Sequence, residues 1–315
     1  MNFDHISVMT QQVLSGLKPR DGGTYIDGTF GQGGYTKAVL DAATTRVFGI
    51  DRDPAAITFG AKLISQYDGR LTLCQGCFGD MTSIMADHGI TSVDGVMLDL
   101  GVSSPQIDDP NRGFSFRYDG PLDMRMESKG PTAADFINEA PEEEIADVIF
   151  QYGEERYSRR IARGIVEARK INPILSTSQL VGIIHANVRH YGGRIDPATR
   201  TFMALRIRIN DELDELDRGL TAAQQILGQG GRLAIVAFHS LEDRKIKSFL
   251  NEHSGIVPKG SRHMPEIIET NLAPSFNLIR RGVIKPDEEE ILLNPRARSA
   301  RLRIAERTDA PAWLN

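Results

Sequence analysis

The residues best suited to chemistry begin with a glycine-rich turn. Gly28, Gly31, Gly33 and Gly34 fall within seven positions, in the run Tyr-Ile-Asp-Gly-Thr-Phe-Gly-Gln-Gly-Gly-Tyr that spans residues 25–35. Glycine tolerates positive φ and lets a backbone come close to a bound molecule, because no Cβ intervenes. Two carboxylates follow at comparable points: Asp51, in Gly-Ile-Asp-Arg-Asp, and Asp99, which closes Val-Met-Leu-Asp. A glycine turn after one strand, with acidic residues at the ends of later strands, describes a nucleotide or nucleoside seat at the carboxyl edge of a parallel sheet.

The spacing narrows the ligand. A dinucleotide fingerprint beginning at Gly31 needs glycine at position 36, where Thr36 stands, and a Walker loop needs lysine after its last glycine, where Tyr35 stands. Both phosphate-cradling patterns lose ground. An acidic residue at the tip of the second strand is placed to accept hydrogen bonds from ribose hydroxyls. A ligand with a ribose and no phosphate fits best, which favours S-adenosylmethionine; the competing reading is a tight turn followed by a solvated aspartate.

The elements that position these residues follow from hydrophobic pattern and punctuation. Strands are expected at residues 24–27, 46–50, 71–75, 95–100 and 231–238, with helices at 10–17, from Thr36 onward, 54–66 and 241–252. The runs at 95–100 and 231–238 are apolar on both faces, as buried parallel strands are. Strands alternating with helices predict a doubly wound α/β sheet of the Rossmann-like kind. Weaker strands at 276–279 and 299–305 would complete about seven, as a hairpin-like terminal pair. Between the fourth and fifth strands the period changes. Residues 103–131 read as a polar loop, and helices are expected at 132–138, 141–152, 156–170 and 176–188, the last opened by a Ser176/Gln179 capping box. A single long helix from Asp196–Pro197, with Phe202, Leu205, Ile209, Leu213, Leu216 and Leu220 on one stripe, would lead back to the sheet. The expected organisation is a first core segment at 1–106, a mostly helical insertion at 107–209 and a second core segment at 210–315, with a frayed tail from Asp309.

Composition limits the classes. The 315 residues are 40% hydrophobic, enough for a sizeable core, and show no long uncharged apolar run or secretory leader, so a soluble cytoplasmic protein without membrane association is expected. A net charge of −5 argues against a chain that coats nucleic acid over its whole surface, while a local basic face would suffice for RNA. Cys74 and Cys77 form a lone pair without a second one, so reduced thiols and no metal are expected.

In order along the chain stand Asp27-Gly-Thr-Phe-Gly-Gln-Gly-Gly34, Ile50-Asp-Arg-Asp-Pro54, Leu98-Asp-Leu-Gly-Val-Ser-Ser-Pro-Gln106 and Arg112-Gly-Phe-Ser-Phe116. They continue with Gly120-Pro-Leu-Asp-Met-Arg-Met126, Tyr152-Gly-Glu-Glu-Arg156, Ala198-Thr-Arg-Thr-Phe202, Phe238-His-Ser-Leu-Glu-Asp-Arg244 and Asn294-Pro-Arg-Ala-Arg-Ser299. With these blocks the chain resembles the bacterial 16S ribosomal RNA cytosine-N(4) methyltransferases from His5 to Arg307. The resemblance implies a class I methyltransferase fold with a substrate-recognising helical insertion. It also implies methyl transfer from S-adenosylmethionine to a decoding-centre cytidine, with 16S rRNA, within the small ribosomal subunit, as partner. Carried over by position, the cofactor contacts would be Gly33, Gly34, Tyr35, Asp51, Phe78, Asp99 and Gln106. Tyr35 is a departure, since the family usually has histidine there. A homodimer is left open.

A cytosine amine is a poor nucleophile, so a hydrogen-bond acceptor should draw on its N–H while the amine is held in line with the methyl group. The loop after the fourth strand lacks the Asp/Asn-Pro-Pro-aromatic signature of many amino-methyltransferases. Asp99, Ser103 and Ser104 are the nearest candidates, with Asp123 beyond them. A paired base is out of reach, so the target must be unstacked and held. Phe114 and Phe116, beside Arg112 and Arg117, could stack and contact phosphate, or simply pin their loop to the core. Arg156, Arg159, Arg160 and Arg163 recur at helical spacing, and Arg296, Arg298, Arg301 and Arg303 at strand spacing, each a candidate basic stripe. His239–Ser240 lacks the Gly-x-Ser-x-Gly elbow of a hydrolase, and His239 is expected to line the crevice after the fifth strand. The alternatives are a methyltransferase for another RNA, a small molecule or a protein, and a ribosome-binding factor with a vestigial site.

Overall fold

The computed structural model describes residues 7–188, 196–256 and 272–313. His5 and most of the basic loop before Ala273 lie outside them. The chain folds as two compact units, residues 1–101 with 214–315, and residues 102–213.

The first unit opens with α1 (Thr10–Leu17), β1 (Thr24–Asp27), α2 (Gly34–Ala42), β2 (Arg46–Asp51), α3 (Pro54–Ile64), β3 (Leu71–Gln75), a 3-10 turn at Phe78–Asp80, α4 (Met81–Asp87) and β4 (Val93–Asp99). Asp53 starts α3 by accepting the Ala55 N–H at 2.9 Å, with Pro54 filling the first helical position, where no N–H is needed. The second unit carries α5 (Ser104–Asp108), α6 (Ala133–Glu139), α7 (Glu142–Gly153), α8 (Ser158–Arg169), α9 (Thr177–Asn187) and α10 (Ala198–Ile209). α11 (Glu212–Ile226) then leads to β5 (Leu227–Ala237), α12 (Ser240–His253), β6 (Phe276–Leu278), α13 (Glu288–Leu293), a 3-10 turn at Pro295–Ser299 and β7 (Arg301–Arg307).

The expected sheet is present. Its order is β3-β2-β1-β4-β5-β7-β6, with β7 antiparallel to both neighbours and the other pairings parallel. Successive side chains point to opposite faces. Ile26, Ile50, Leu98 and Ile235 therefore enter one core cluster, while Tyr25, Val47, Met97 and Val236 enter the other. From β1 the chain winds outward to β3 and then crosses back to β4, so the carboxyl ends of β1 and β4 flank the crevice where such sheets bind ligands.

The helical unit has its own core, in which Ile137, Ile145, Ile149, Ile161, Ile165, Ile184 and Leu205 are fully buried. Capping boxes at Thr132/Asp135 and Ser176/Gln179 satisfy the free N–H groups that begin α6 and α9.

Four expectations change. The single long helix after Asp196 is two, α10 and α11, because Asp211 takes a left-handed φ of 47° and the buried Asn210 turns its side chain to backbone. Asn210 Oδ1 accepts the Met126 N–H at 2.7 Å, and its Nδ2 donates to the Met124 and Arg206 carbonyls at 2.8 and 2.9 Å. The loop from 103 contains a short helix, α5, opened by a Ser103/Gln106 capping box. β5 starts at Leu227, earlier than its apolar run, with a register shift opposite Val93–Gly95. The tail is anchored at Trp313, which is 7% exposed, stacks on His253 at 4.3 Å and donates from Nε1 to the Ala273 carbonyl at 3.0 Å; the last two positions of the expected frayed tail lie outside the described residues.

Candidate active site

Backbone hydrogen bonds draw the glycine turn across the strand ends. Gly28 N–H donates to the Met97 carbonyl and Phe30 N–H to the Ile50 carbonyl, both at 3.0 Å, tying the turn to β4 and β2. Asp51 pulls it tighter: its Oδ2 accepts the Gly31 N–H at 2.7 Å, and its Oδ1 accepts the Asp53 N–H at 2.8 Å. Gly31 and Gly33 take left-handed φ values of 52° and 74°.

The glycines serve different ends. A Cβ on Gly28 would stand 2.5 Å from Leu98 Cδ2, one on Gly33 would stand 2.9 Å from both Leu63 and Phe30, and one on Gly34 would collide with Ser7. Those three are required by the protein's own packing. Around Gly31 a Cβ would find nothing nearer than 3.8 Å, so this is where the turn leaves backbone open to a ligand. Phe78 lies beside the turn, its Cβ 2.9 Å from the place a Gly28 Cβ would take and its ring edge over Gly219.

Three aspartates meet here. Asp27, 1% exposed, accepts from Thr36 Oγ1 at 2.7 Å and from Thr29 N–H at 3.3 Å. Burial pushes its pKa up to about 6 against those hydrogen bonds, with the Asp51 charge adding to the rise. Asp51 is likewise pushed up to about 6, by burial first, while the Asp53 and Gly31 N–H groups oppose it. Asp99 is held well above the ordinary carboxyl range by burial, then by the charges of Asp27 and Glu242. Its backbone N–H is fixed by Thr29 Oγ1 at 2.6 Å, but Asp99 Oδ1 is buried with no hydrogen-bond partner among the described residues.

That orphan has company. Among the described residues, six buried side-chain atoms lack a partner, and three of them, Gln32 Oε1, Asp99 Oδ1 and His239 Nε2, belong to the turn and to the carboxyl ends of β4 and β5. Buried polar groups are ordinarily satisfied, so a concentration of open valences marks a place built for a polar ligand. Gln32 escaped the sequence reading because only its position between glycines distinguished it. Asp27 escaped as a site residue because nothing local announces that it is buried.

The other anticipated residues have specific places. His239 caps α12: Glu242 Oε2 accepts the Phe238 and His239 N–H groups at 2.8 and 3.2 Å, and His239 Nδ1 faces the Glu242 N–H at 3.5 Å. His239 Nε2 is 3.0 Å from Glu242 Oε1, though without hydrogen-bond alignment. Tyr35 is only 4% exposed and its hydroxyl donates to the Val8 carbonyl at 2.5 Å, so its ring offers almost no surface to a ligand. Arg296 and Arg298 are exposed on a 3-10 turn rather than a strand. At three residues per turn, alternate positions do not share a face, so the expected stripe is not formed there. Arg301 and Arg303 both grip Asp243, at 3.0 and 2.8 Å.

Ser103, Ser104, Gln106, Asp123 and the 112–117 segment belong to the helical unit. Asp123 is chelated by Arg125 at 2.8 and 2.7 Å, and those bonds hold its pKa below the ordinary range despite burial, which makes it a poor proton acceptor. Arg112 donates to the Arg125 and Met126 carbonyls, both at 3.0 Å, and its guanidinium lies 5.7 Å from the Phe114 ring centroid. Phe116 packs edge-on against Phe202 at 5.0 Å. Both rings thus pack against the helical core. Arg117, Arg156, Arg159, Arg160 and Arg163 are exposed, with Arg156 stacked over Tyr157 at 4.7 Å and Arg163 paired with Glu142 at 3.8 Å.

A cationic nucleoside suits this arrangement. The turn, residues 28–35, contains no basic residue to meet a phosphate, while the strand ends supply carboxylates and unpartnered acceptors. The antiparallel β7, wedged between β5 and β6, departs from the order of dinucleotide-binding sheets. Sheet order and site chemistry together define a class I S-adenosylmethionine-dependent methyltransferase. Comparison with known sequences goes further: the model of the MraW methylase family matches residues 2–308, and the chain belongs to that family. It is 54% identical over 309 residues to the Ribosomal RNA small subunit methyltransferase H of Paramagnetospirillum magneticum, covering 98% of this chain and 97% of the relative. It is 58% identical over 308 residues to the protein of the same name from Rhodospirillum centenum, covering 98% and 93%. No helix among the described residues is long and apolar enough to cross a membrane.

Proposed function

We propose that this methyltransferase acts on small-subunit (16S) ribosomal RNA, methylating the exocyclic N(4) amine of a cytidine in the decoding centre, with the assembled small subunit as partner. The relatives' name supports the RNA class, and the observation that carries the site is the set of open valences at the strand ends, with Asp99 Oδ1 at its centre. S-adenosylmethionine, when bound, supplies an electrophilic methyl group. Asp51 keeps lone pairs free for ribose hydroxyls, since each of its oxygens accepts one N–H. Gly31 leaves room beside the turn, and Phe78 walls the site.

The amine must shed a proton as the new bond forms. With Asp123 committed to Arg125, that acceptor is Asp99. The helical unit recognises RNA through the exposed arginines of α8 and the segment before it, Arg156, Arg159 and Arg160, with Arg117 as a further phosphate contact; the exposed Arg296 and Arg298 of the sheet unit are phosphate contacts in their own right. Phe114 and Phe116 hold the 112–117 loop that presents Arg117.

The test is transfer of tritiated methyl from S-adenosylmethionine to small subunits isolated from cells lacking the protein, followed by mass-spectrometric mapping of the modified base. Label in a cytidine amine of the small-subunit RNA is expected. Label on metabolites or protein, with none in RNA, overturns the substrate assignment.

A further inference from the structure

Phe78 sits on a 3-10 turn of three residues, Phe78–Asp80, in which Asp80 N–H donates to the Cys77 carbonyl and Met81 N–H to the Phe78 carbonyl. Its place in the fold is set from outside. On one side Gly76 N–H donates to the Asp51 carbonyl at 3.0 Å, tying the exit of β3 to the end of β2. On the other, Gly79 N–H donates to Glu215 Oε1 of α11 at 2.7 Å, while Glu215 Oε2 accepts from Arg218 Nη2 at 2.5 Å. Glu215 is 2% exposed, whereas the Arg218 side chain is 54% exposed. Burying a carboxylate costs free energy that pairing with a half-exposed arginine offsets poorly, so this contact adds little to the stability of the fold. What it secures is the position of Gly79.

The ring is seated one helical turn further along α11. A Cβ on Gly219 would stand 2.3 Å from both Cδ2 and Cε2 of Phe78, so this ring edge lies against bare helix backbone. At the root of the side chain, a Cβ on Gly28 would stand 2.9 Å from Phe78 Cβ. Two glycines therefore bracket Phe78, one in the cofactor turn and one inside a helix, where glycine is disfavoured relative to alanine. α11 is itself anchored, since Leu216 and Leu220 are buried in the core cluster against which Phe78 packs. We infer that α11 is the positioning element for the cofactor wall: Glu215 fixes the turn, Gly219 seats the ring, and together they set affinity for the nucleoside of S-adenosylmethionine without taking part in methyl transfer. That role rests on the placement of Phe78 in the proposed cofactor site. The physical reason is preorganisation. A ring held in place before the ligand arrives loses little freedom on binding, so its contact is realised in full. A wall on the nucleoside serves ground state and transition state alike, so loosening it weakens binding and leaves the chemical step alone.

Methyl-transfer kinetics on isolated small subunits, with calorimetry of the full chain, provide the test. Gly219→Ala pushes the ring from its seat and should raise KM for S-adenosylmethionine about tenfold while kcat stays within about twofold. Glu215→Ala releases the Gly79 N–H and should raise KM about fivefold, again with kcat held. Glu215→Gln keeps an acceptor for that N–H without the charge and should stay within about twofold of the wild type in both constants. By calorimetry, Kd for S-adenosylmethionine and for S-adenosylhomocysteine should rise by the same factor in each alanine variant, since neither contact involves the sulfonium. Phe78→Ala should weaken both ligands and make Gly219→Ala silent in its background, because the added Cβ then meets no ring. A merely structural role would lower the melting temperature and the active fraction, and hence kcat, with KM unmoved; that pattern overturns the inference. So does a loss confined to S-adenosylmethionine or shared by Glu215→Gln, which would trace to the Glu215 charge. Undiminished affinity in Phe78→Ala would remove Phe78 from the cofactor site, and the role of α11 with it.

Discussion

Asp27→Asn tests whether the site's carboxylates are kept at the expense of stability. The Asp27 pKa rises from 3.8 to about 6 in the folded chain, chiefly through burial. A carboxyl whose folded pKa is raised binds its proton more tightly folded than unfolded, so its ionisation destabilises. The penalty is absent below pH 3.8, grows between the two values and is complete above 6. A rise of 6 − 3.8 = 2.2 units corresponds to about 3 kcal/mol, of which roughly 1.4 kcal/mol develops between pH 5 and pH 8. Asparagine keeps the contacts: its carbonyl can accept the Thr29 N–H, and its amide can donate to Thr36 Oγ1. The assay is urea unfolding of the ligand-free chain at pH 5 and pH 8, followed through Trp313, the single tryptophan, buried in the same compact unit. From pH 5 to pH 8 the wild type should lose roughly 1.4 kcal/mol more than the variant; contributions from Asp51 and other groups largely cancel in that difference. Identical pH dependence in the two proteins would refute the claim that Asp27 is ionised against its surroundings.

Three further outcomes follow from particular contacts. Asn210→Ala leaves the buried Met126 N–H and Met124 carbonyl without their side-chain partner, at about 1–3 kcal/mol each, so the helical unit should lose about 2–6 kcal/mol. Hydrogen exchange should accelerate at residues 122–126, and unchanged protection there would count against the reading. Trp313→Ala empties the stack on His253 and should cost about 3 kcal/mol or more in thermal unfolding followed by circular dichroism; a wild-type melting temperature would mean the tail is only loosely docked. Arg160→Ala should weaken binding to small-subunit RNA and lower the slope of log affinity against log salt by about one, with S-adenosylmethionine affinity unchanged. An unaltered slope would place the RNA elsewhere.

Much of the architecture was legible without coordinates because its causes are local. Val96–Leu98 and Leu233–Ala237 are buried strands, as their continuous apolar runs imply, and the Ser176/Gln179 pair starts a helix because capping acts over one turn. The glycine turn and the strand-end carboxylates Asp51 and Asp99 could be found for the same reason: chain reversal and strand termination are properties of a few adjacent residues.

Tertiary structure decided what those residues do. Only folding brings Val8 to the Tyr35 hydroxyl and buries the ring, so that an expected ligand contact becomes an internal hydrogen bond. Only folding sets Asp243 between Arg301 and Arg303, Arg125 on Asp123 and Trp313 on His253, so that a basic stripe, a candidate base and a frayed end become structural pieces. The helix break at Asn210 depends on the Met126 N–H and the Met124 carbonyl, some eighty residues earlier in the chain. The sequence by itself determined the strands, the turn and the types of group at their ends. Burial and charge proximity, which set whether a carboxyl holds its proton, depend on distances across the fold, and only the assembled structure supplies them.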